Sequence, residues 1–157
     1  MSIVSHLDSI QGLSSKYDVR FLYSTKAPFT GQENGQLDLE GSGGEMDGKQ
    51  ILFLERLAEI FEGKKGGIYN GQLQLFLTGT SGYFASGGRI QAGERSLEYT
   101  GRRIGKSDVE EALGPVADRA RTVVYACGIP TMTDEVVKIA KEAEGMDENN
   151  VLCEKWW

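Results

Sequence analysis

The segment at residues 122–133, TVVYACGIPTMT, constrains the fold of this chain more than any other. It opens with an apolar, β-branched run that is typical of a strand buried on both faces of a parallel sheet. Gly128 and Pro130 then break the strand, and either Thr131 or Thr133 is suited to cap a following helix. A strand, a turn and a capped helix in this order predict a ligand site at the carboxyl end of a parallel sheet.

The predicted helix after this turn adds a chemical preference to the site. Its apolar positions recur at helical spacing. The first turn of a helix presents free backbone N–H groups and the positive end of the helix dipole. Both features suit a phosphate group. The apolar positions are Val136, Val137, Ile139, Ala140 and Ala143.

The remaining patterns alternate between helix and strand, which predicts an α/β fold with a doubly wound, Rossmann-like parallel sheet. The alternating start of the strand at 72–78 is typical of an edge strand. Two glycine-rich stretches, at about 29–49 and 79–100, are predicted to be flexible insertions. The predicted helices cover 2–12, 50–61, 108–113 (capped by Ser107) and the segment after Thr131, and the predicted strands cover 18–25, 72–78, 122–126 and 151–153.

Bulk properties narrow the class of protein. A length of 157 residues suits one domain, and 39% hydrophobic residues is ordinary for a globular chain. The net charge of −6 argues against a nucleic-acid partner. The N-terminus lacks the pattern of a secretory signal, and no apolar run is long enough to span a bilayer. We therefore expect a cytoplasmic or mitochondrial protein that is not secreted.

The cysteines and the histidine indicate no metal. Cys127 and Cys153 both lie in strand-like segments, which predicts buried thiols in a reducing compartment. The chain has one histidine, His6, which falls off the apolar stripe of its predicted helix. With no paired cysteine spacing and a single histidine, a metal site is not expected.

The Cys-Gly-x-Pro-x-Met motif of residues 127–132 resembles the loop that closes the nicotinamide site in the ferredoxin–NADP reductase superfamily. The C-terminal residues 151–157, which end in Glu-Lys-Trp-Trp, resemble the oxidoreductase NAD-binding domain-containing branch. One position departs from the family, which usually has proline directly after Cys-Gly where this chain has Ile129. The resemblance covers most of the chain, with a weakly matching middle.

This resemblance implies hydride transfer between a nicotinamide (NAD or NADP) and a flavin, FAD. Cys127 would lie near the reactive nicotinamide carbon, and Met132 would back the loop from the helix. Trp156 or Trp157 would stack on the flavin ring and exclude water. The implied catalytic residues are Cys127 and Trp157, and the implied cofactor-binding residues of this half are Cys127, Gly128, Ile129, Pro130, Met132, Trp156 and Trp157.

Further candidates follow the first two predicted strands. In the resembled family a Tyr-Ser pair ends the first of these strands beside the ribose or phosphate, and Tyr23-Ser24 matches it. Ordinary turn chemistry explains the same residues equally well. Small residues after the next strand would let a backbone approach a ligand closely. The cofactor-binding candidates here are Ser24, Thr25, Lys26, Thr78 and Gly79.

The resemblance also implies missing parts. The family's first strand and its glycine-rich phosphate turn precede the helix with which this chain starts, and the flavin domain lies further upstream. The sheet would then lack the strand between those at Val19 and Val123. A flavin-bearing domain or redox partner would be required, and the isolated chain is not expected to turn over. The alternative is a nucleotide-binding or interaction module without catalysis. Discrimination between NAD and NADP stays open.

Overall fold

The computed structural model describes residues 17–28, 46–62, 71–80 and 86–155. The chain divides into two compact units, residues 1–103 and residues 104–157, where the sequence predicted one domain. The predicted helix at 2–12, most of the predicted insertion at 29–49, and Trp156 and Trp157 lie outside the described residues. None of the described helices is long and apolar enough to cross a membrane.

Among its described residues, the first unit contains a sheet of five strands, which are β1 Val19–Lys26, β2 Met46–Asp47, β3 Gly71–Thr78, β4 Gly88–Ala92 and β5 Arg95–Thr100. Their order in the sheet is β1-β3-β5-β4-β2. Three of its pairings are parallel (β1–β3, β3–β5 and β2–β4), and β4–β5 is antiparallel. The chain is therefore mixed α/β with a mostly parallel sheet, which is compatible with a Rossmann-like fold. The helical elements described in this unit are a 3-10 turn Gly48–Gln50 and α1 Leu54–Phe61.

The core of this unit lies where α1 covers the sheet. Leu54 and Ala58 on one face of the helix are buried against a cluster that includes Leu75, Leu77 and Ile90. Burial at successive positions of β3 from Leu75 to Leu77 means that both faces of this strand are covered. The prediction of an edge strand was wrong, because β3 lies between β1 and β5. Its alternating residues occupy only its less buried amino-terminal half.

The second predicted insertion, at 79–100, contains a regular hairpin. Strands β4 and β5 pair antiparallel from Gly88↔Tyr99 to Ala92↔Arg95. Their buried residues alternate along each strand and are Ile90, Ala92, Leu97 and Tyr99. The period-two pattern was present in the sequence, but the abundance of glycine concealed it. Part of the first predicted insertion is also regular, since Met46–Asp47 form β2.

The second unit is a small βαβ arrangement with further helical segments. Strands β6 Val124–Gly128 and β7 Val151–Lys155 form a parallel two-stranded sheet, and α3 Pro130–Glu142 connects them and packs on both. Helix α2 Lys106–Leu113 packs on α3. The predicted capping residue for α2 was Ser107, but the N-cap is Gly105, whose N–H donates to the Asp108 carboxylate at 2.7 Å.

Strand β6 is less buried than its sequence predicts. Only Ala126 of this strand is buried, while Tyr125 is 46% exposed and Val123, just before the strand, is 63% exposed. Cys127 and Cys153 are also exposed, so the prediction of buried thiols was wrong. The apolar run predicted a strand covered on both faces in the middle of a larger sheet. In the described residues β6 pairs with β7 alone, and α3 covers one face.

Candidate functional site

The carboxyl ends of β6 and β7 meet at one edge of the second unit's sheet. The register places Cys127 opposite Glu154 and Gly128 opposite Lys155. Since the strands are parallel, the turn that leaves β6 and the first turn of α3 lie at this edge. The structure therefore brings together five of the predicted residues, which are Cys127, Gly128, Ile129, Pro130 and Met132.

Helix α3 begins at this turn without a side-chain cap. Its N-cap is Ile129 and its first residue is Pro130, so the predicted caps Thr131 and Thr133 do not fill that role. Proline suits the first helical position because it has no N–H to satisfy. The first intrahelical bond runs from Thr133 N to Ile129 O at 3.0 Å. The N–H groups of Thr131 and Met132 precede it and are available to an acceptor.

The side-chain hydroxyl of Thr133 is the unusual feature of this edge. Thr133 is fully buried, and its Oγ1 has no hydrogen-bond partner among the described residues. A Cβ on Gly128 would lie 3.9 Å from this oxygen and 2.6 Å from Cε of Met132. The flexible end of Met132 thus lies over Gly128, on the side that the hydroxyl faces. A buried hydroxyl is costly unless a water molecule or another polar group satisfies it.

A lysine from β7 carries positive charge at the same edge. Nζ of Lys155 lies 2.5 Å from Oδ1 of Asp134 in the first part of α3. This hydrogen bond, followed by the attraction of the carboxylate, raises the pKa of Lys155 above its usual value. Lys155 is therefore protonated at physiological pH. Lys155 was absent from the predicted site residues, because the sequence alone does not show that the strand register places it opposite Gly128.

The other face of the β6–β7 sheet holds a short polar contact. The hydroxyl of Tyr125 donates to Oε2 of Glu154 at 2.5 Å. That hydrogen bond is the main cause that raises the pKa of Tyr125 to about 12. Residues two apart on a strand share a face, so Cys127 lies on the face of Tyr125. The predicted catalytic thiol is therefore on an exposed surface beside a tyrosine–carboxylate pair.

The remaining described candidates lie at the carboxyl ends of two neighbouring parallel strands in the first unit. Ser24, Thr25 and Lys26 end β1, and Thr78 and Gly79 end the parallel neighbour β3. The Thr78 hydroxyl donates to Thr25 O at 3.3 Å, and Ala27 N donates to Thr78 O at 2.8 Å. These contacts hold the two strand ends together within the fold. Ser24, Thr25 and Lys26 lie within strand β1 and not in a turn, and ligand binding by these residues stays a prediction.

An arginine that is not among the predicted site residues lies just after the end of β5. The guanidinium of Arg102 lies 5.4 Å from the ring centre of Phe76, and its Nη1 donates to Arg103 O at 2.9 Å. Its position follows from β5, which the sequence predicted as an insertion. Arg89, which the sequence placed in that insertion, bonds to Ser96 and Glu98 within the hairpin.

Comparisons with protein-family models, with curated proteins and with solved structures found no match to this chain. The resemblance to the ferredoxin–NADP reductase superfamily therefore stays a prediction. Trp156 and Trp157, its implied flavin contacts, lie outside the described residues. Within the described residues, the edge formed by β6, β7 and α3 combines N–H groups without helical partners, a buried hydroxyl and a protonated lysine that is ion-paired with Asp134.

Proposed function

We propose that the edge formed by the β6–α3 turn and Lys155 binds a phosphate-bearing nicotinamide nucleotide, and that the chain is the nucleotide-binding half of a flavin-dependent oxidoreductase. The observation that carries the phosphate part is the buried, unpartnered hydroxyl of Thr133 beside an uncapped helix start. The nicotinamide and the flavin rest on the resemblance of residues 127–132.

The donors at this edge suit a phosphate oxygen. The N–H groups of Thr131 and Met132 and the hydroxyl of Thr133 all belong to the first turn of α3. The dipole of this 13-residue helix adds partial positive charge at the same point. Gly128 has no side chain to obstruct the approach, and the flexible Met132 side chain would swing away when a ligand enters.

The redox step would belong to the cofactors. A bound nicotinamide supplies the hydride and FAD accepts it, while the protein positions the two rings. Cys127 ends the exposed face of β6 and would line the nicotinamide side of the turn. The flavin would be held by a further domain or by a redox partner. In this proposal the fold is of the doubly wound, Rossmann-like type of the ferredoxin reductase C-terminal domain.

The test uses a pair of isosteric substitutions in the first turn of α3, one at a buried and one at an exposed threonine. Thr133→Val removes the buried hydroxyl, and Thr131→Val removes an exposed hydroxyl from the same turn. Calorimetric titration of the purified chain with NADH and NADPH should give saturable binding, about −8 kcal/mol for a micromolar dissociation constant. Thr133→Val should weaken it by about tenfold, since a hydrogen bond to a charged group contributes about 1.5–3 kcal/mol.

A stability measurement separates loss of binding from loss of folding. Without nucleotide, Thr133→Val should raise the free energy of unfolding by about 1 kcal/mol, because it removes a buried hydroxyl without a partner. Thr131→Val should change neither the affinity nor the stability. Wild-type affinity in Thr133→Val would place the nucleotide elsewhere and would overturn the proposed site.

The alternative is a nucleotide-binding or interaction module without catalysis. One observation favours it, which is a set of exposed apolar side chains on the β6–β7 sheet and just before β6. These side chains are Tyr125, Leu152 and Val123. Exposed apolar rows of this kind favour a docking role. NADH oxidation by the purified chain with added FAD and an artificial acceptor distinguishes the two. Nucleotide binding without oxidation, even with a separate flavin domain supplied, would favour the module.

A further inference from the structure

A cavity of about 450 Å³ opens on the first unit, where the start of α1 meets the turn that joins β4 to β5. Its wall includes Leu52, Phe53 and Leu54, together with Ala92 and Gly93. Cavities of this size accommodate small molecules, and they are commonly lined by apolar side chains with a few polar groups. The nucleotide site proposed above uses none of these residues.

Phe53 lines this cavity with a strained backbone. The N–H of Leu54 donates to Ile51 O at 3.3 Å, which closes a turn over residues 51–54. Phe53 is the third residue of this turn and has φ of 64° and ψ of 5°. These angles are typical of the third position of a type II turn, where glycine is the usual residue. The left-handed conformation is unfavourable for a residue that carries a side chain.

A hydrogen bond from β1 keeps the turn in this conformation. The hydroxyl of Tyr23 donates to Leu52 O at 2.8 Å. This oxygen belongs to the peptide between the second and third residues, whose orientation distinguishes a type II turn from a type I turn. Tyr23 therefore fixes the peptide orientation that accompanies the left-handed conformation of Phe53.

The strain at this turn does not bury the side chains that the turn carries. Phe53 is 43% exposed, and the preceding Leu52 is 66% exposed. Strained residues persist where their surroundings hold them, and they cluster at ligand sites. Here the strained backbone presents an aromatic side chain at a cavity instead of placing it in the core, which points to a ligand.

The charge in the cavity wall that has no counter-ion is a carboxylate. Two cations line the wall, and both are paired: Lys49 with Asp47 at 3.7 Å, and Arg56 with Glu59 at 3.1 Å. Glu55 also lines the wall and has no ion pair among the described residues. The cavity thus combines apolar side chains with one negative charge that a ligand could neutralise.

We propose that this cavity binds a small organic ammonium ion with an apolar body. The Glu55 carboxylate accepts hydrogen bonds from the ammonium group, and the Phe53 ring attracts the cation. Leu52 covers the apolar body. Gly93 leaves room for the carboxylate, since a Cβ there would lie 2.5 Å from Oε1 of Glu55. All of these residues belong to the first unit, so the proposal does not depend on the nucleotide site of the second unit.

The test compares probes of similar shape and different charge on the purified full chain. The probes are phenethylammonium, the neutral phenethyl alcohol and the anionic hydrocinnamate. NMR titration should give saturable binding of the ammonium probe, with shifts of the Glu55 and Gly93 amides. Its dissociation constant should be lower than that of either other probe by about tenfold or more, because a hydrogen bond between opposite charges is the stronger one.

Two substitutions locate the probe. Glu55→Gln should weaken the ammonium probe by about tenfold, to the affinity of the alcohol. Phe53→Gly should weaken the ammonium probe and the alcohol, because both lose the aromatic contact. It should keep the fold by circular dichroism, because glycine adopts the left-handed conformation without strain. The matched control is Glu62→Gln at the other end of α1, which removes the same charge and should bind like the wild type.

Several outcomes would overturn the proposal. The absence of saturable ammonium binding to the folded wild type at millimolar concentration would do so. Equal affinity for the alcohol would exclude a role for charge, and tighter binding of hydrocinnamate would assign the cavity to anions. Wild-type affinity in Glu55→Gln would place the ammonium ion elsewhere. An equal loss of affinity in Glu62→Gln would show that net charge alone attracts the probe.

Discussion

Lys155, at the end of β7, and Asp134, in the first part of α3, form an ion pair with 2.5 Å between Nζ and Oδ1. The contact joins a strand end to the start of the helix that leaves the neighbouring strand. It keeps a protonated amine at the edge where Gly128 turns into α3. The electrostatics of the proposed phosphate site thus depend on Asp134, which lies outside both resembled segments.

Replacing Asp134 should make Lys155 easier to deprotonate. The hydrogen bond to Asp134 raises the pKa of Lys155, so Asp134→Asn should lower that pKa toward 10.5. A raised pKa stabilises the folded state below the unfolded value, and the stabilisation is lost as pH rises through the folded value. The variant should therefore be less stable than the wild type below pH 10.5, with a difference that disappears at higher pH. An NMR titration of the Lys155 side chain measures its pKa, and thermal melting at several pH values measures the difference in stability. The control, Glu135→Gln on the same helix, should leave the Lys155 titration unchanged.

Removing the carboxylate beside Tyr125 should lower its pKa. The hydrogen bond to Glu154 raises this pKa to about 12, so Glu154→Gln should move it toward 10.0. The stabilisation is complete below pH 10.0 and is lost as pH rises through about 12. Ultraviolet titration of phenolate absorbance, with Tyr125→Phe subtracted, gives the value directly. An unchanged Tyr125 titration in Glu154→Gln would mean that the contact does not persist in solution.

The sequence predicted local elements well where apolar spacing was regular. Strand β1 and the predicted strand at 18–25 agree to within one residue at each end, and β3 agrees equally well. Helix α1 is shorter than its pattern, because Phe53 adopts a left-handed conformation with φ of 64° and starts the helix late. Apolar periodicity reports which face is buried, but it carries no information on a backbone reversal at a non-glycine residue.

Sheet order and the site's polar contacts were much harder to predict. The strand pattern gave no means to know that β6 pairs with β7 and not with β1, because neighbours in a parallel sheet are set by packing and not by local sequence. Thr133 was predicted as a capping residue, since threonine near a helix start commonly caps. Its hydroxyl is instead buried without a partner, which only the surroundings of Gly128 and Met132 reveal.

Arg119 should be a major stabiliser of the second unit. Its Nε donates to Gly114 O at 2.9 Å, its Nη1 to Glu144 O at 3.1 Å and its Nη2 to Glu110 O at 3.4 Å. These carbonyls lie at or near the ends of α2 and α3, where backbone acceptors lack helical partners. Arg119→Ala should lower the free energy of unfolding by about 2–3 kcal/mol. Urea denaturation followed by circular dichroism measures it.

The matched control for that substitution is Arg121→Ala. Arg121 is largely exposed and pairs with Asp118 one turn away. Exposed pairs of this kind contribute about 0.5 kcal/mol or less. Equal losses of stability in the two variants would show that the Arg119 contacts to the helix ends contribute no more than an exposed ion pair.

Two glycines with positive φ should respond differently to alanine. Gly93 has φ of 63° in the β4–β5 turn, and a Cβ there would lie 2.5 Å from Oε1 of Glu55. Gly114 has φ of 76° after α2, with open space where a Cβ would lie. Gly114→Ala should cost about 1–3 kcal/mol for the backbone alone, because its φ of 76° with ψ of −163° is close to a region that only glycine occupies readily. Gly93→Ala should cost about 1–2 kcal/mol for its left-handed backbone, because the flexible end of Glu55 can move away from the new Cβ. Adding Glu55→Ala to Gly93→Ala should therefore recover little stability in chemical denaturation, and a large recovery would show that the Glu55 side chain is held in place.

Both cysteines should react in the native protein without forming a disulfide with each other. Each is exposed, which favours reaction with a thiol reagent. The register places Ala126 opposite Cys153 and Cys127 opposite Glu154, so the two thiols lie on opposite faces of the β6–β7 sheet. Their Cβ atoms therefore point apart, which precludes a bridge. Titration with a colourimetric disulfide reagent should report two thiols in the native chain, and both should remain countable by denaturing titration after mild diamide treatment under dilute conditions. Rapid loss of both thiols at a rate independent of protein concentration would indicate an intramolecular disulfide. Such a bond would show that the β6–β7 sheet opens enough to bring the two thiols together.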